Sequence, residues 1–330
     1  MKKLLIIFCP ILLAFNVQAD KAPDWVSHQG RGNGEIVLSA TGTAANIELA
    51  KDRALGNLAK IFEARVSDTT RRESATSVST WKGVEEVEQT HQLTQRVQIQ
   101  SDVVIKGAVI SEIWHDPSLQ LYHALAELNR VQAKNNLFDE ILQLDEQTLV
   151  LLKQQKITQD RLQRIAHITQ AIELQQQRMT LQSMLKIIDL HGLGDEAPWR
   201  LSELNLLLDK QLQDLSLSLV IGHDQASDKL ERTLLSAMTN AGFSTSAQGD
   251  YQLAAQLDVS DLGFQQGWYW QRAVLEVQLK QGEQLLGSHS FRFKVAALQQ
   301  TELERRLLSM ISQKLNDELY VTLLGFSSSR

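Results

Sequence analysis

Trp268, Tyr269 and Trp270 form the cluster in this chain with the clearest recognition chemistry. Side chains alternate along a strand, so Trp268 and Trp270 share one face and Tyr269 points to the other. Trp and Tyr are enriched at binding hot spots, which makes the triplet a candidate contact for a protein partner or a glycan. The plainer role is to cap a hydrophobic core, as large aromatics usually do.

The titratable residues are less organised. His28, His91, His115, His123, His167, His191, His223 and His289 are scattered, with no H-x-x-x-H or H-E-x-x-H spacing. His115, Asp116 and His123 fall on one expected hairpin and could approach each other, but zinc wants three or four protein ligands. Gly30-Arg31-Gly32-Asn33-Gly34 looks like a phosphate loop only in composition. It precedes a strand, whereas anion binding needs the amides of a helix N-terminus. No G-x-S-x-G elbow occurs. Gly222-His223-Asp224 sits at a strand end, where a turn with a helix-capping Asp explains it. Asp258 and Asp261 flank another strand end without the marks of an acid–base pair. No catalytic set, cofactor site or metal site emerges, and the expectation is a non-enzymatic protein.

The elements that would position these residues separate into three regions. In the first, residues 20–129, Ile36 to Gly42 reads as a strand, and Thr43 can cap a helix carrying Ile47, Ala50, Ala54, Leu58, Ile61 and Phe62. Residues 64–80 are rich in Ser, Thr and Val, which predicts a strand. Val84 to Val104 mixes helical and strand signals. Ala108 to Trp114 and Leu121 to Leu128 predict a hairpin around His115-Asp116-Pro117-Ser118.

Residues 130–215 are helical. Leu137, Ile141, Leu144, Thr148 and Leu151 make one stripe; Leu162, Ile165, Ile168, Ile172, Met179, Leu181, Leu185 and Ile188 make another, with Gln and charged residues on the opposite faces. The pair reads as an antiparallel hairpin turning near Gln155-Lys156, with a glycine stop at His191-Gly192 and a linking helix opened by Pro198. An exposed apolar stripe on such a hairpin would indicate oligomer or partner contact.

Residues 216–326 give the order strand, helix, three strands, helix. Leu217, Leu219 and Ile221 alternate; a helix carries Leu230, Leu234, Ala237 and Met238 and stops at Gly242. Tyr251 to Val259, Leu275 to Leu279, and Leu285, Phe291, Phe293 and Val295 follow with strand parity, separated by turns at Asp261 to Gly267 and Gln281-Gly282-Glu283. The final helix carries Leu303, Leu307, Met310, Ile311, Leu315 and Leu319. The fold class expected is α+β: a strand–helix–strands module, a central helical hairpin, and an antiparallel-rich sheet with two helices on one face.

The start of the chain reads as an export address, residues 1–19. Lys2 and Lys3 precede an apolar run from Leu4 to Phe15, and Val17-Gln18-Ala19 offers small residues before a cleavage between Ala19 and Asp20. The run is shorter than the roughly 20 residues of a spanning helix. Cys9 is the only cysteine, and Phe8 stands before it where lipidation wants a small residue. Cleavage after Ala19 leaves no thiol for a disulfide, a nucleophile or a metal. The formal charge is −6, and losing Lys2 and Lys3 lowers it by two to −8. No clustered basic face suggests nucleic acid.

The first region resembles the LPP-twenty lipoprotein-like family. The matching residues are Pro23-Asp24-Trp25, Ala40-Thr41-Gly42-Thr43-Ala44, the helix from Ala50-Lys51-Asp52-Arg53-Ala54 to Ile61, the Val66-Ser67 strand, Lys106-Gly107-Ala108, and Tyr122-His123-Ala124-Leu125-Ala126. They fall in the family's order and cover about a third of the chain. The resemblance implies a small α+β module in the periplasm or tethered to the outer membrane, as in flagellar ring and basal-disc components, with no catalytic residues to carry over. The expected role is assembly or structural support in the envelope through protein–protein contacts, with envelope proteins or a second copy as partners. The alternative is a glycan- or lipid-binding module using the aromatic strand.

Overall fold

The computed structural model describes residues 21–27, 36–76, 107–222 and 227–327. The proposed cleavage site at Ala19 and Asp20, the 30–34 glycine loop, Val84 to Val104 and His223-Asp224 lie outside these residues. The fold is α+β, with a strand–helix–strands module, a central helical pair and a sheet with helices, and the described residues fall into two compact units.

The first unit holds α1 (Asp24–Ser27), β1 (Val37–Ala44), α2 (Ile47–Thr76) as far as Ile61, β2 (Val109–Asp116) and β3 (Leu121–Asn129). The strands form an antiparallel sheet in the order β1-β3-β2. Alternation along β1 turns Leu38, Ala40, Gly42 and Ala44 inward, and Ala50, Ala54 and Leu58 of α2 are buried. Gly42 is required by contact. A Cβ there would lie 2.2 Å from the Ala54 nitrogen and 2.3 Å from the Ala50 oxygen, both backbone atoms. Asn57 and Arg53 donate to the Thr41 and Thr43 carbonyls at 2.8 and 2.6 Å, tying α2 to β1. Trp25 is buried, and its indole donates to Glu112 at 2.7 Å.

Two expectations about β1 and α2 fail. Thr43 is not the cap of α2: it belongs to β1, and Asn46 takes that place, its Oδ1 accepting the Leu49 amide at 2.8 Å. The strand expected over 64–80, with its Val66-Ser67 match, is helix through Thr76, and 77–80 lie outside the described residues. Strand propensity is a weak local bias. No proline or glycine stands between Gly56 and Gly83, so a helix once nucleated gains a hydrogen bond with each residue it adds.

The second unit includes α3 (Arg130–Ile157) from Val131, α4 (Arg161–Ile188), α5 (Leu201–Asp214), β4 (Ser216–Ile221), α6 (Ser227–Asn240), β5 (Ser244–Thr245), β6 (Tyr251–Gln265), β7 (Trp268–Gln281), β8 (Gln284–Ala297) and α7 (Leu303–Ser327). The sheet runs β5-β4-β6-β7-β8; β4 is parallel to β5 and β6, and β6 to β8 are antiparallel. Its inner face, carrying Leu253, Leu275, Val277, Phe291 and Val295, is covered by apolar stripes of α4 to α7. The glycine stop after α6 is as expected: Gly242 adopts φ +87° and the Phe243 amide returns to the Met238 carbonyl at 3.0 Å.

Helices α3 and α4 form the expected antiparallel hairpin, turning at 158–160 rather than at Gln155-Lys156. Asp160 caps α4, accepting from the Leu162 and Gln163 amides at 2.8 and 3.1 Å. The same carboxylate accepts the Tyr251 hydroxyl at 2.7 Å, which fixes the helix start to β6. Arg161 adds an ion pair to Asp250 at 2.9 Å. The expectation that Gln and charged residues lie on the faces opposite the apolar stripes fails at Asp145, Gln175 and Arg178, which are buried; Thr148, expected in the stripe, is buried with them. Arg178 donates from Nε to both Asp145 oxygens at 2.8 and 3.0 Å and from Nη2 to Asp195 at 2.9 Å. Gln175 bridges Asp145 and Thr148 at 3.1 and 2.9 Å. A buried charge needs this degree of pairing.

Of the stretch 261–267 that read as a turn, 261–265 belong to β6, and β7 begins at Trp268. A bulge between Asp261 and Gly263 absorbs the turn-like residues: Gly263 has φ +76°, and Asp261 accepts its amide at 2.8 Å. The reversal is Gln266-Gly267 alone, with φ of +53° and +83°, the signs a two-residue primed turn requires. Leu285 is exposed because the register shifts between Leu279 and Lys280, and Leu286 packs against the core instead.

Candidate contact surfaces

Trp268, Tyr269 and Trp270 lie at the start of β7, beside the Gln266-Gly267 turn. The alternation is the one expected from a strand, with a consequence for the core. Tyr269 shares the inward parity of Ala273 and Leu275 and packs against the core, while Trp268 and Trp270 face away from it. The tyrosine takes the core-capping role considered for the tryptophans. Phe264 lies opposite Tyr269 in register, with the rings 4.9 Å apart, and is 61% exposed. The tip therefore carries aromatics on both faces.

On the tryptophan face, Lys294 of β8 sits over Trp270, 4.6 Å from the ring centroid, a cation–π contact. The Trp270 indole donates to the Gln265 carbonyl at 3.3 Å and so holds its ring across the hairpin. Arg272 faces Lys294 across the ladder, and Arg292 faces Val274 one rung pair further in; all three cations are exposed. Val259 and Leu298 add exposed apolar surface at this end of the sheet.

A second surface lies on α3. Val131, Phe138, Leu142 and Leu149 are 39–56% exposed. Their spacings of seven, four and seven residues bring all four to one line along a 3.6-residue helix. This line is distinct from the buried one through Ala133, Leu137, Ile141, Thr148 and Leu152.

The histidine candidates come apart. His115 pairs with Tyr122 and His123 with Trp114 across the β2–β3 ladder, so the two imidazoles occupy opposite faces. The His123 Nδ1 shares a 2.9 Å hydrogen bond with the Thr43 hydroxyl, and the His115 and Tyr122 rings lie 4.6 Å apart at a tilt of 42°. Asp116 closes the hairpin turn, with the Ser118 hydroxyl and the Leu119 and Ser118 amides holding its carboxyl below the usual range. Asp258 is exposed on β6, its Oδ1 accepting from Gln256 at 3.3 Å, and Asp261 serves the bulge. Among the described residues no three metal-ligating side chains converge, and no helix is long and apolar enough to cross a membrane.

Phe264, Lys294, Arg272 and the α3 line were not singled out by sequence reasoning. Phe264 and Lys294 reach Tyr269 and Trp270 only across the ladder, and Arg272, two residues from Trp270 on the same face of β7, meets Lys294 only through that register. The α3 line was legible as a second apolar period, hidden beside the stronger buried one.

No family model and no curated protein sequence matches the chain. Among solved structures, it is similar to the secreted protein HP1454 from Helicobacter pylori, with 12% identity, a TM-score of 0.43, and coverage of 89% of this chain and 97% of that one. It is also similar to a minor lipoprotein from Acinetobacter baumannii, with 17% identity, a TM-score of 0.25, and coverage of 33% of this chain and 87% of that one. At such scores neither likeness bears on function.

Proposed function

We propose that this chain is a non-enzymatic protein of the bacterial envelope that gives assembly or structural support through protein–protein contact, and that its first partner is a second copy of itself along α3. The observation that carries the reading is the exposed line Val131, Phe138, Leu142 and Leu149. Its spacing is symmetric about its midpoint. Two antiparallel copies would set Val131 against Leu149 and Phe138 against Leu142, the self-complementary arrangement of a two-fold interface. Contiguous exposed apolar surface of this kind marks interaction sites. The envelope assignment is supported by the export pattern of residues 1–19 and by the LPP-twenty lipoprotein-like residues of the first unit, which make a flagellar ring or basal-disc accessory its sharpest form.

Sedimentation equilibrium of the purified protein tests it. The wild type is expected to dimerise at micromolar concentration. The Phe138→Glu/Leu142→Glu variant is expected to be monomeric and to keep a cooperative thermal melt that no longer depends on protein concentration, since both side chains are exposed. A monomeric wild type, or a dimer indifferent to this variant, would overturn the reading. Fractionation of native cells with the chain in the cytosol and Met1 retained would overturn the envelope assignment.

A further inference from the structure

The β6–β7 tip is apolar on both faces, which a ligand bound to a single face does not explain. Phe264 and Tyr269 lie on one side of the hairpin, and Trp268 and Trp270 on the other. Leu298, one residue beyond β8, is 60% exposed and comes level with Trp268 in the register. A flat glycan would occupy one face. A medium that surrounds the tip engages both.

From these positions we infer that the β6–β7 tip is a docking element for an anionic lipid surface. The aromatics lie within three residues of the turn, about 10 Å at the rise of a strand. That matches the depth of roughly 5–10 Å to which interfacial elements bury their apolar side chains. Trp and Tyr favour this level of a bilayer because their rings are amphipathic. Behind them stand cations. Arg272 and Lys294 share a rung two residues further in, and Arg292 follows. At that height they meet the phosphate layer.

The remaining charges near the tip do not cancel this array. Asp261 is tied to the bulge, and Glu302 is engaged by Arg305 and Arg306, whose Nη1 also donates to the Ala296 carbonyl beside Trp270. Asp258 shares the Val274 rung with Arg292 and offsets that cation, which leaves Arg272 and Lys294, nearer the tip, without an anion on their rung. A chain of net charge −6 would otherwise be repelled by anionic lipid, so these exposed cations behind an aromatic tip constitute the local complementarity. The inference does not depend on self-association along α3.

Flotation of the full chain with phosphatidylglycerol-containing vesicles, against pure phosphatidylcholine vesicles, tests it. Binding is expected to the anionic vesicles and to fall with salt. The Phe264→Ser/Trp268→Ser variant is expected to lose binding by at least roughly tenfold, because the interfacial affinity scales with buried apolar area. Lys294→Gln and Arg272→Gln are each expected to lose roughly fivefold on anionic vesicles and little on neutral ones. Circular dichroism melts check that these exposed substitutions leave the fold intact. Absence of binding to anionic vesicles, equal binding by the tip variant, or capture by an immobilised acidic polysaccharide with no vesicle binding would each overturn the inference.

Discussion

Two seams of this protein solve one problem in opposite ways. Between β1 and α2 the gap is closed by leaving side chains out: the inward residues Ala40, Gly42 and Ala44 are all small, and at Gly42 the backbone approaches that of Ala50 and Ala54. Between α3 and α4 the gap is filled by large polar groups, with Arg178 fully buried against Asp145 and Asp195, and Gln175 bonded to Asp145 and Thr148. The first seam is vulnerable to any added atom and the second to any lost partner. Tightness and polarity are thus alternative means of excluding water, and they predict opposite responses to substitution.

The largest expected effect is on the second seam. Arg178→Ala strands Asp145 in the interior and should destabilise the second unit by about 3–5 kcal/mol in urea unfolding. Arg178→Met combined with Asp145→Leu removes both charges and should recover most of that loss. A single loss that the double change does not repair would break the contrast.

Next comes the first seam. Gly42→Ala should cost about 1–3 kcal/mol, because its Cβ meets backbone that cannot step aside. Gly56→Ala on α2 has no atom within 4 Å of the new Cβ and should instead stabilise by about 1 kcal/mol. Thermal melts with opposite signs would sharpen the comparison; equal signs would sink it.

A smaller effect is expected where α4 meets β6. Asp160→Ala removes the helix cap and the Tyr251 bond together, for about 1–2 kcal/mol in chemical denaturation.

The smallest effects are in pH. The Lys134 ammonium, with the His191 and Leu193 amides, holds the Asp189 carboxyl below its usual range. A depressed carboxyl contributes stability that is present above its unfolded pKa near 4 and is lost as pH falls through the folded value. Asp189→Asn should flatten the acid limb of the stability profile. On the alkaline side, burial pushes Tyr320 up to about 12, and burial with the Asp160 carboxylate pushes Tyr251 higher still. Their contribution is complete below pH 10 and is lost as pH rises through the folded values, so Tyr320→Phe should delay alkaline unfolding.

How far the sequence could be read differs by element. Alternation placed the inward faces of β6, β7 and β8 at Tyr251, Leu275 and Phe291 without knowledge of their neighbours. The helix over 64–76 escaped because Ser, Thr and Val carry only a weak strand preference, which propagation from Ile47 overrides. The tip escaped because Asp261 and Gly263 look like a turn and are a bulge; the true turn is Gln266-Gly267. Arg178 looked like an outward residue, and its partners lie 33 and 17 positions away. Of the contact surface, the aromatic triplet was visible and its cations were not, since Lys294 reaches Trp270 only across the ladder.

The amino-acid sequence alone determined which side of each strand and helix is apolar, because a side chain's direction follows from local backbone period. Tertiary structure decided which apolar sides are covered and which face water, as on α3 and at the β6–β7 tip. Coverage depends on elements brought from distant parts of the chain, and no local period encodes their arrival.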